Sequence, residues 1–184
     1  MPEAAPRVIR LVDGTPQVSA DGWVRVDSAA QWREQSERLR AHPPAGHAGL
    51  LLPLELALAH PERLAGPVAA GVWLSAAEDP ARAVPLFGSI VLIGVEFPKF
   101  TDGRGYSTAV LLRTRLGWRG EMRALGDVLQ DQLYAMRRVG FDSFALRADC
   151  DPVAALRGFD VFSGSYQGSV DQPLPAFRRA QVPA

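Results

Sequence analysis

The chain has one cysteine and three histidines in 184 residues, and only one of its basic residues, Lys99, is not an arginine. A single thiol, Cys150, excludes a disulfide within the chain and any centre built from several cysteines, including an iron–sulfur cluster. Net charge is missing as well. The 20 basic residues balance 20 acidic ones, so bulk charge does not drive binding to nucleic acid. Long hydrophobic runs are absent too. The most apolar stretches, Leu50–Leu54, Ala65–Leu74 and Ile90–Val95, fall short of the ~20 residues of a membrane-spanning helix. Arg7 and Arg10 follow Met1–Pro6 with no apolar leader core behind them. No membrane partner and a cytoplasmic location are the expectation.

What is present is globular. At 47% hydrophobic and 22% charged, the chain is too apolar for a mostly disordered segment. Its length suits one domain of roughly 100–200 residues, which can bury about 70% of its unfolded surface. Arginine-favouring codons account for the Arg excess and make Lys99 stand out.

Local signals predict an α/β order. Val8–Val12, the turn Asp13-Gly14, Val18 and Trp23–Val26 suggest a small β unit folding back on itself. Ser28 and Gln31 have capping-box spacing for a helix that stops before Pro43-Pro44. The Pro/Gly stretch from His42 to Gly49 is a linker whose loop character does not hold His42 and His47 as metal ligands. Beyond it, strands are expected at Leu50–Leu52, Gly71–Leu74, Ser89–Phe97, Glu121–Leu125 and Ser143–Arg147. Helices are expected at 54–64 (divided at Pro61), after Asp79-Pro80, at 104–116, at 128–139 and at 152–156. The unalternating run Ile90–Ile93 fits a strand buried on both faces. Gly140-Phe141-Asp142-Ser143-Phe144 recurs as Gly158-Phe159-Asp160-Val161-Phe162, which predicts one more strand at Val161–Tyr166. Repeated strand–helix units imply a mainly parallel sheet of five or six strands with right-handed crossovers. An open sheet and a partial barrel both fit. The expected division is 1–48 for the β unit, helix and linker, 49–166 for the parallel core and 167–184 for an arm or frayed tail.

Ligands of parallel sheets sit at the carboxyl ends of the strands. The densest stretch there is Glu96–Gly105, where Asp102 can cap a helix and Gly103 and Gly105 let the chain turn. With Lys99 and Arg104 beside it, that helix start is a candidate anion site. A capped helix with solvated basic residues accounts for the same residues. It is no dinucleotide fingerprint, because Thr108 stands at the third glycine position. From Phe97 to Arg138 eight basic residues face four acidic ones, an asymmetry that suits an anionic ligand or acidic surface. Cys150 lies between Asp149 and Asp151, which disfavours its thiolate. Asp127 and Asp131 share a helix face and fit a cap with a solvated surface. No resident cofactor or metal is expected.

Three blocks go further. Phe97-Pro98-Lys99-Phe100-Thr101-Asp102-Gly103-Arg104-Gly105-Tyr106-Ser107, Gly120–Leu129 continuing to Leu133, and Arg138–Phe144 together resemble bacterial domain-of-unknown-function family nine-three-four. The likeness covers roughly the last two-thirds of the chain. Met122 stands where that family more often has Leu, and Val139 where it more often has Cys. Family members are commonly encoded beside the sulfite or nitrite reductase haemoprotein and are associated with sulfite reduction. The resemblance therefore implies an accessory protein of assimilatory sulfite reduction with that haemoprotein as partner. It also implies sulfite, a sulfate-like group or a phosphorylated sulfur carrier as ligand, held by Lys99, Arg104 and Arg123 and ordered by Asp102 and Asp127. With no cysteine pair or nucleotide motif of its own, the chain would act as a component of an oxidoreductase whose partner carries the redox cofactor. The competing expectation is a small α/β enzyme using Asp127, Asp102 and Arg104 on a phosphorylated or carboxylated metabolite. A structural subunit is a third.

Overall fold

The computed structural model describes residues 6–43 and 47–179. Eight strands form one sheet, in the order β2-β1-β8-β7-β6-β5-β4-β3. They are β1 (Arg7–Val12), β2 (Thr15–Ala20), β3 (Gly22–Arg25), β4 (Ala48–Pro53), β5 (Ala70–Leu74), β6 (Leu92–Phe97), β7 (Glu121–Gly126) and β8 (Ser143–Phe144). β3 to β8 run parallel, six strands, with β3 and not the expected Val161–Tyr166 segment as the sixth. β1 and β2 form an antiparallel hairpin, and β1 pairs antiparallel with β8.

The sequence expectation for Trp23–Val26 is corrected here. This segment does not fold back on β1. It starts the parallel array at the far edge of the sheet, against β4. β2 and β3 are therefore the two edge strands, yet Asp21 alone separates them in the chain. Such edges can adjoin only if the sheet rolls up. In a flat sheet β3 and β7 lie four strand spacings apart, about 19 Å. Here the Trp23 ring sits 5.8 Å from the Arg123 guanidinium carbon. The sheet is thus a curled partial barrel with two differently filled faces.

The convex face carries the main core. Ile9, Leu50, Leu52, Val72, Leu74, Ile93, Val95, Met122, Ala124 and Phe144 alternate outward along their strands and pack under the helices. Those helices are α1 (Ala29–Ala41), α2 (Leu54–Ala59), α3 (Arg104–Thr114), α4 (Leu133–Arg138) and α5 (Pro152–Ala155); a short α6 (Ala176–Arg179) buries no side chain. The concave face holds a smaller cluster of Trp23, Leu51, Leu92 and Leu125, with Trp73 and Ala145 against it. Gly49 and Gly71 make room for Trp23: a Cβ on either would come within 2.9–3.0 Å of its ring. β6 begins at Leu92 and not at Ser89, and Val91 is half exposed, so the run buried on both faces is Leu92–Val95 and not the expected Ile90–Ile93.

Most start and stop signals act as expected. The Ser28 hydroxyl accepts from Gln31 N at 3.2 Å, and Gln31 Oε1 accepts from Asp27 N at 2.8 Å. Pro61 ends α2 and opens a separate 3-10 turn, Pro61–Arg63. Asp79 caps the 3-10 helix Pro80–Leu86 through Ala81 N. Two expectations fail. The helix expected from Val128 begins with a 3-10 turn, Gln130–Gln132, and becomes α-helical only at Leu133. No strand forms at Val161–Tyr166. The two Gly-Phe-Asp copies differ in what catches them. Gly140 takes φ +100° and its Asp142 is bound by Arg113 and by Met122 N. Gly158 lies inside a 3-10 turn, where a Cβ would strike Gln130 O at 2.2 Å, and Asp160 is exposed. The first copy feeds β8; the second only lays Phe159 on the core.

Candidate functional site

The loop between β6 and α3 stands at the carboxyl edge of the parallel strands. Its root is fixed by packing. The buried Phe97 ring meets Tyr106 edge-on at 5.4 Å and Phe141 at 5.8 Å. Gly105 is required by this contact and not by a turn: a Cβ there would lie 2.5 Å from the Phe97 ring. Gly103, at φ −81°, needs no special conformation either. On the other side, Gly126 takes φ +92° so that Asp127 N can donate to Phe97 O at 2.8 Å.

The loop's tip is clamped through its backbone. Phe100 N donates to Asp127 Oδ2 at 2.8 Å, while Phe100 O accepts from Gln132 Nε2 at 2.9 Å. Gln132, buried, turns its other amide atom to Leu129 N at 3.0 Å. Asp127 is in turn held by Arg147 Nη1 at 2.9 Å, and Arg147 is also bound by Asp149 at 2.6 Å. What this frame presents is the Phe100 ring, 55% exposed, and the exposed Lys99. Among the described residues no carboxylate lies within ion-pair distance of Lys99.

The five sequence-derived candidates divide. Lys99, Arg104, Asp102 and Asp127 come together around this loop. Arg104 is turned back on Asp102, with bonds of 3.0 and 2.6 Å, and its backbone N–H donates to the same carboxylate. Those hydrogen bonds hold the Asp102 carboxyl at a pKa of about 2. Arg123 does not join them. It lies inside the curled sheet, 1% exposed, and donates to Asp21 Oδ1 at 2.8 Å, to Glu121 Oε1 at 3.0 Å and to Ser143 Oγ at 3.1 Å. Its charge is already matched. Burial pushes Glu121 upward, but the Ser143 hydroxyl, Arg123 and His47 outweigh it and keep the carboxyl below its usual value. His47 Nε2 lies 2.5 Å from Glu121 Oε2, yet no straight hydrogen bond reaches that nitrogen. Burial holds the His47 imidazole below its ordinary pKa.

Sequence reasoning missed two anchoring residues, Arg113 and Gln132. Arg113, counted only in the charge tally, donates to Gly140 O, Trp118 O, Gly120 O and Asp142. It ties α3 to the turns that lead into β7 and into β8. Gln132 was not singled out, because nothing local marks one Gln as a clamp; Arg147 and Asp149 do follow the Ser143 strand at the carboxyl edge, where the strand-end rule expects ligands, but their hold on Asp127 has no local signature. Partial burial and Asp149 push the Cys150 thiol upward, which keeps it protonated at neutral pH. Among the described residues no group of three or more His, Cys, Asp or Glu side chains is placed to hold a metal ion. None of the helices there is long and apolar enough to cross a membrane.

The segment that builds this site is also the one that matches a known family. The family model described as a bacterial protein of unknown function (DUF934) covers residues 71–177. The chain is a DUF934 protein. No curated protein and no solved structure matches it. The match begins at β5 and takes in the clamped loop, α3, the Arg113 anchor and the Gly140 turn. The hairpin and β3, which complete the curl, lie outside it.

Proposed function

We propose that this DUF934 protein is an accessory of assimilatory sulfite reduction, acting with a sulfite or nitrite reductase haemoprotein through the loop from Phe97 to Arg104. One observation carries the reading. The backbone of Phe100 is clamped on both its N–H and its C=O, while its ring and the Lys99 ammonium face solvent. An aromatic and a cation presented on a rigid support lose little entropy on docking, which is how interface anchors gain affinity. The family resemblance supplies the partner. Lys99 supplies the free charge for an oxyanion at the loop, and Arg104 joins it by releasing Asp102. Arg123 takes no part in that contact.

The test is genetic first. A deletion strain is grown on sulfate, sulfite, sulfide or cysteine as sole sulfur source, then complemented with the wild type or with Lys99→Glu/Phe100→Ala. Growth on sulfide and cysteine but not on sulfite, rescued by the wild type and not by the double variant, is expected. Unimpaired growth on all four sources overturns the proposal. Calorimetry with sulfite then examines the oxyanion. Weaker binding by Arg104→Ala and by Lys99→Ala is expected, and equal binding in all three proteins removes that part.

A further inference from the structure

A groove of about 820 Å³ runs between α3, α4 and the arm that follows Gln167. Its size falls within the range of small-molecule sites, roughly 300–1,000 Å³. α3 contributes Tyr106, Val110, Arg113 and Thr114, spaced as one helical stripe. α4 contributes Ala135 and Arg138, and its C-cap Val139 follows them. The arm is the third wall and is fastened to α4: Val170 N donates to Arg138 O at 2.9 Å, and Arg138 Nη2 donates to Gln167 O at 2.7 Å. The lining is mostly apolar. Its only charged residues are three arginines, with no carboxylate among them.

The arginines are not equivalent. Arg113 is spent on Asp142 and three carbonyls. Arg119 is exposed and makes no hydrogen bond or ion pair with any described residue. Arg138 keeps its Nε buried with no acceptor among the described residues. A buried donor on a charged group is costly to leave unpaired, so natural structures rarely do so. That nitrogen is closed to solvent and is not the docking point; an anionic group entering the groove would instead meet the exposed Arg119 and offset the excess positive charge of the lining.

We propose that this groove binds a small amphipathic carboxylate, with the head group on Arg119 and the apolar tail along Val110, Val139 and Pro173. The site is separate from the loop at the carboxyl edge and does not depend on the function assigned to it. The arm then has a role: it is the wall that closes over the tail.

Calorimetry with decanoate tests this, with decanol and acetate as partial ligands. Two variants leave the Arg113 and Arg138 bonds in place: Arg119→Glu at the rim and Val110→Trp filling the channel. Saturable one-to-one binding of decanoate is expected, at least tenfold weaker in either variant, in decanol and in acetate. Unchanged circular dichroism and melting shows that both variants fold. Amide shifts in a nitrogen–proton spectrum should fall on α3, α4 and residues 167–175. Failure of decanoate to saturate, wild-type affinity in either variant, decanol matching decanoate, or shifts lying elsewhere would each overturn the proposal.

Discussion

Removing the Arg123 guanidinium strips the interior of the curled sheet of its central cation. It neutralises Asp21 and Glu121, whose side chains are only 15% and 10% exposed. Breaking a buried ion pair from one side costs about 3–5 kcal/mol, because the partner charge is left without compensation. Two carboxylates are orphaned here, which argues for the upper end. Glu121, however, keeps His47 at 2.5 Å and Arg10 at 3.7 Å, which pulls the figure back. Arg123→Ala should therefore cost about 3–4 kcal/mol, a large part of the roughly 5–15 kcal/mol that holds a domain folded. Urea unfolding followed by tryptophan fluorescence measures it, with Trp23 beside the lesion. The triple variant Arg123→Met/Glu121→Gln/Asp21→Asn removes all three charges and should recover most of the loss, to within about 1 kcal/mol of wild type. A cost below about 1 kcal/mol for Arg123→Ala would refute the buried network. The same measurement separates two roles for this residue. An oxyanion ligand at the surface would lose binding and keep stability; a structural cation loses stability and leaves sulfite binding at Lys99 untouched.

Arg113→Lys should destabilise almost as much as Arg113→Ala, by about 3 kcal/mol, because one ammonium cannot span three carbonyls and a carboxylate in the plane of a guanidinium; thermal melts of the two variants side by side decide it. The Asp102 carboxyl, held at about 2, should return towards its ordinary 3.8 in Arg104→Ala, read by carbon-detected titration; an unchanged value would mean the pair is not formed in solution. His47 is held below its ordinary pKa of 6.5, so the unfolded chain binds the extra proton more readily and stability falls as pH drops through about 6.5. His47→Gln should flatten that part of the stability curve, and an identical slope in both proteins would count against it. The depressed Glu121 carboxyl adds a loss that sets in below about 4.5. Gln132→Ala should free the Phe100 carbonyl and raise hydrogen exchange across 99–103, with little change in melting temperature; unchanged exchange would mean Asp127 alone holds the tip.

Much of this protein was legible locally. Asp13-Gly14, Ser28 with Gln31, Pro61, Asp79-Pro80 and Gly140 each act through bonds to chain neighbours a few residues away, and each sits where its chemistry placed it. The same locality made Lys99, Asp102 and Arg104 visible as a group, since a loop brings its own residues together. The second Gly-Phe-Asp copy shows the limit. Its residues repeat the first, but the structure gives Asp160 no counterpart of the Arg113 and Met122 N contacts that catch Asp142, so the motif alone does not make a strand.

The amino-acid sequence by itself determined the alternation of strand and helix, the parallel majority of the sheet, the motif-bearing loop and the family to which residues 71–177 belong. Only the tertiary structure decided that β3 closes towards β2 across Asp21. It also decided that Arg123 is an internal counter-ion and that residues 167–175 wall a groove. The physical reason is sequence separation. Capping, turns and periodicity are energies between near neighbours, whereas Arg123 meets Asp21 across 102 positions of chain. A pairing of that kind has no local signature, because any of the chain's arginines could have made it until the curl of the sheet chose one.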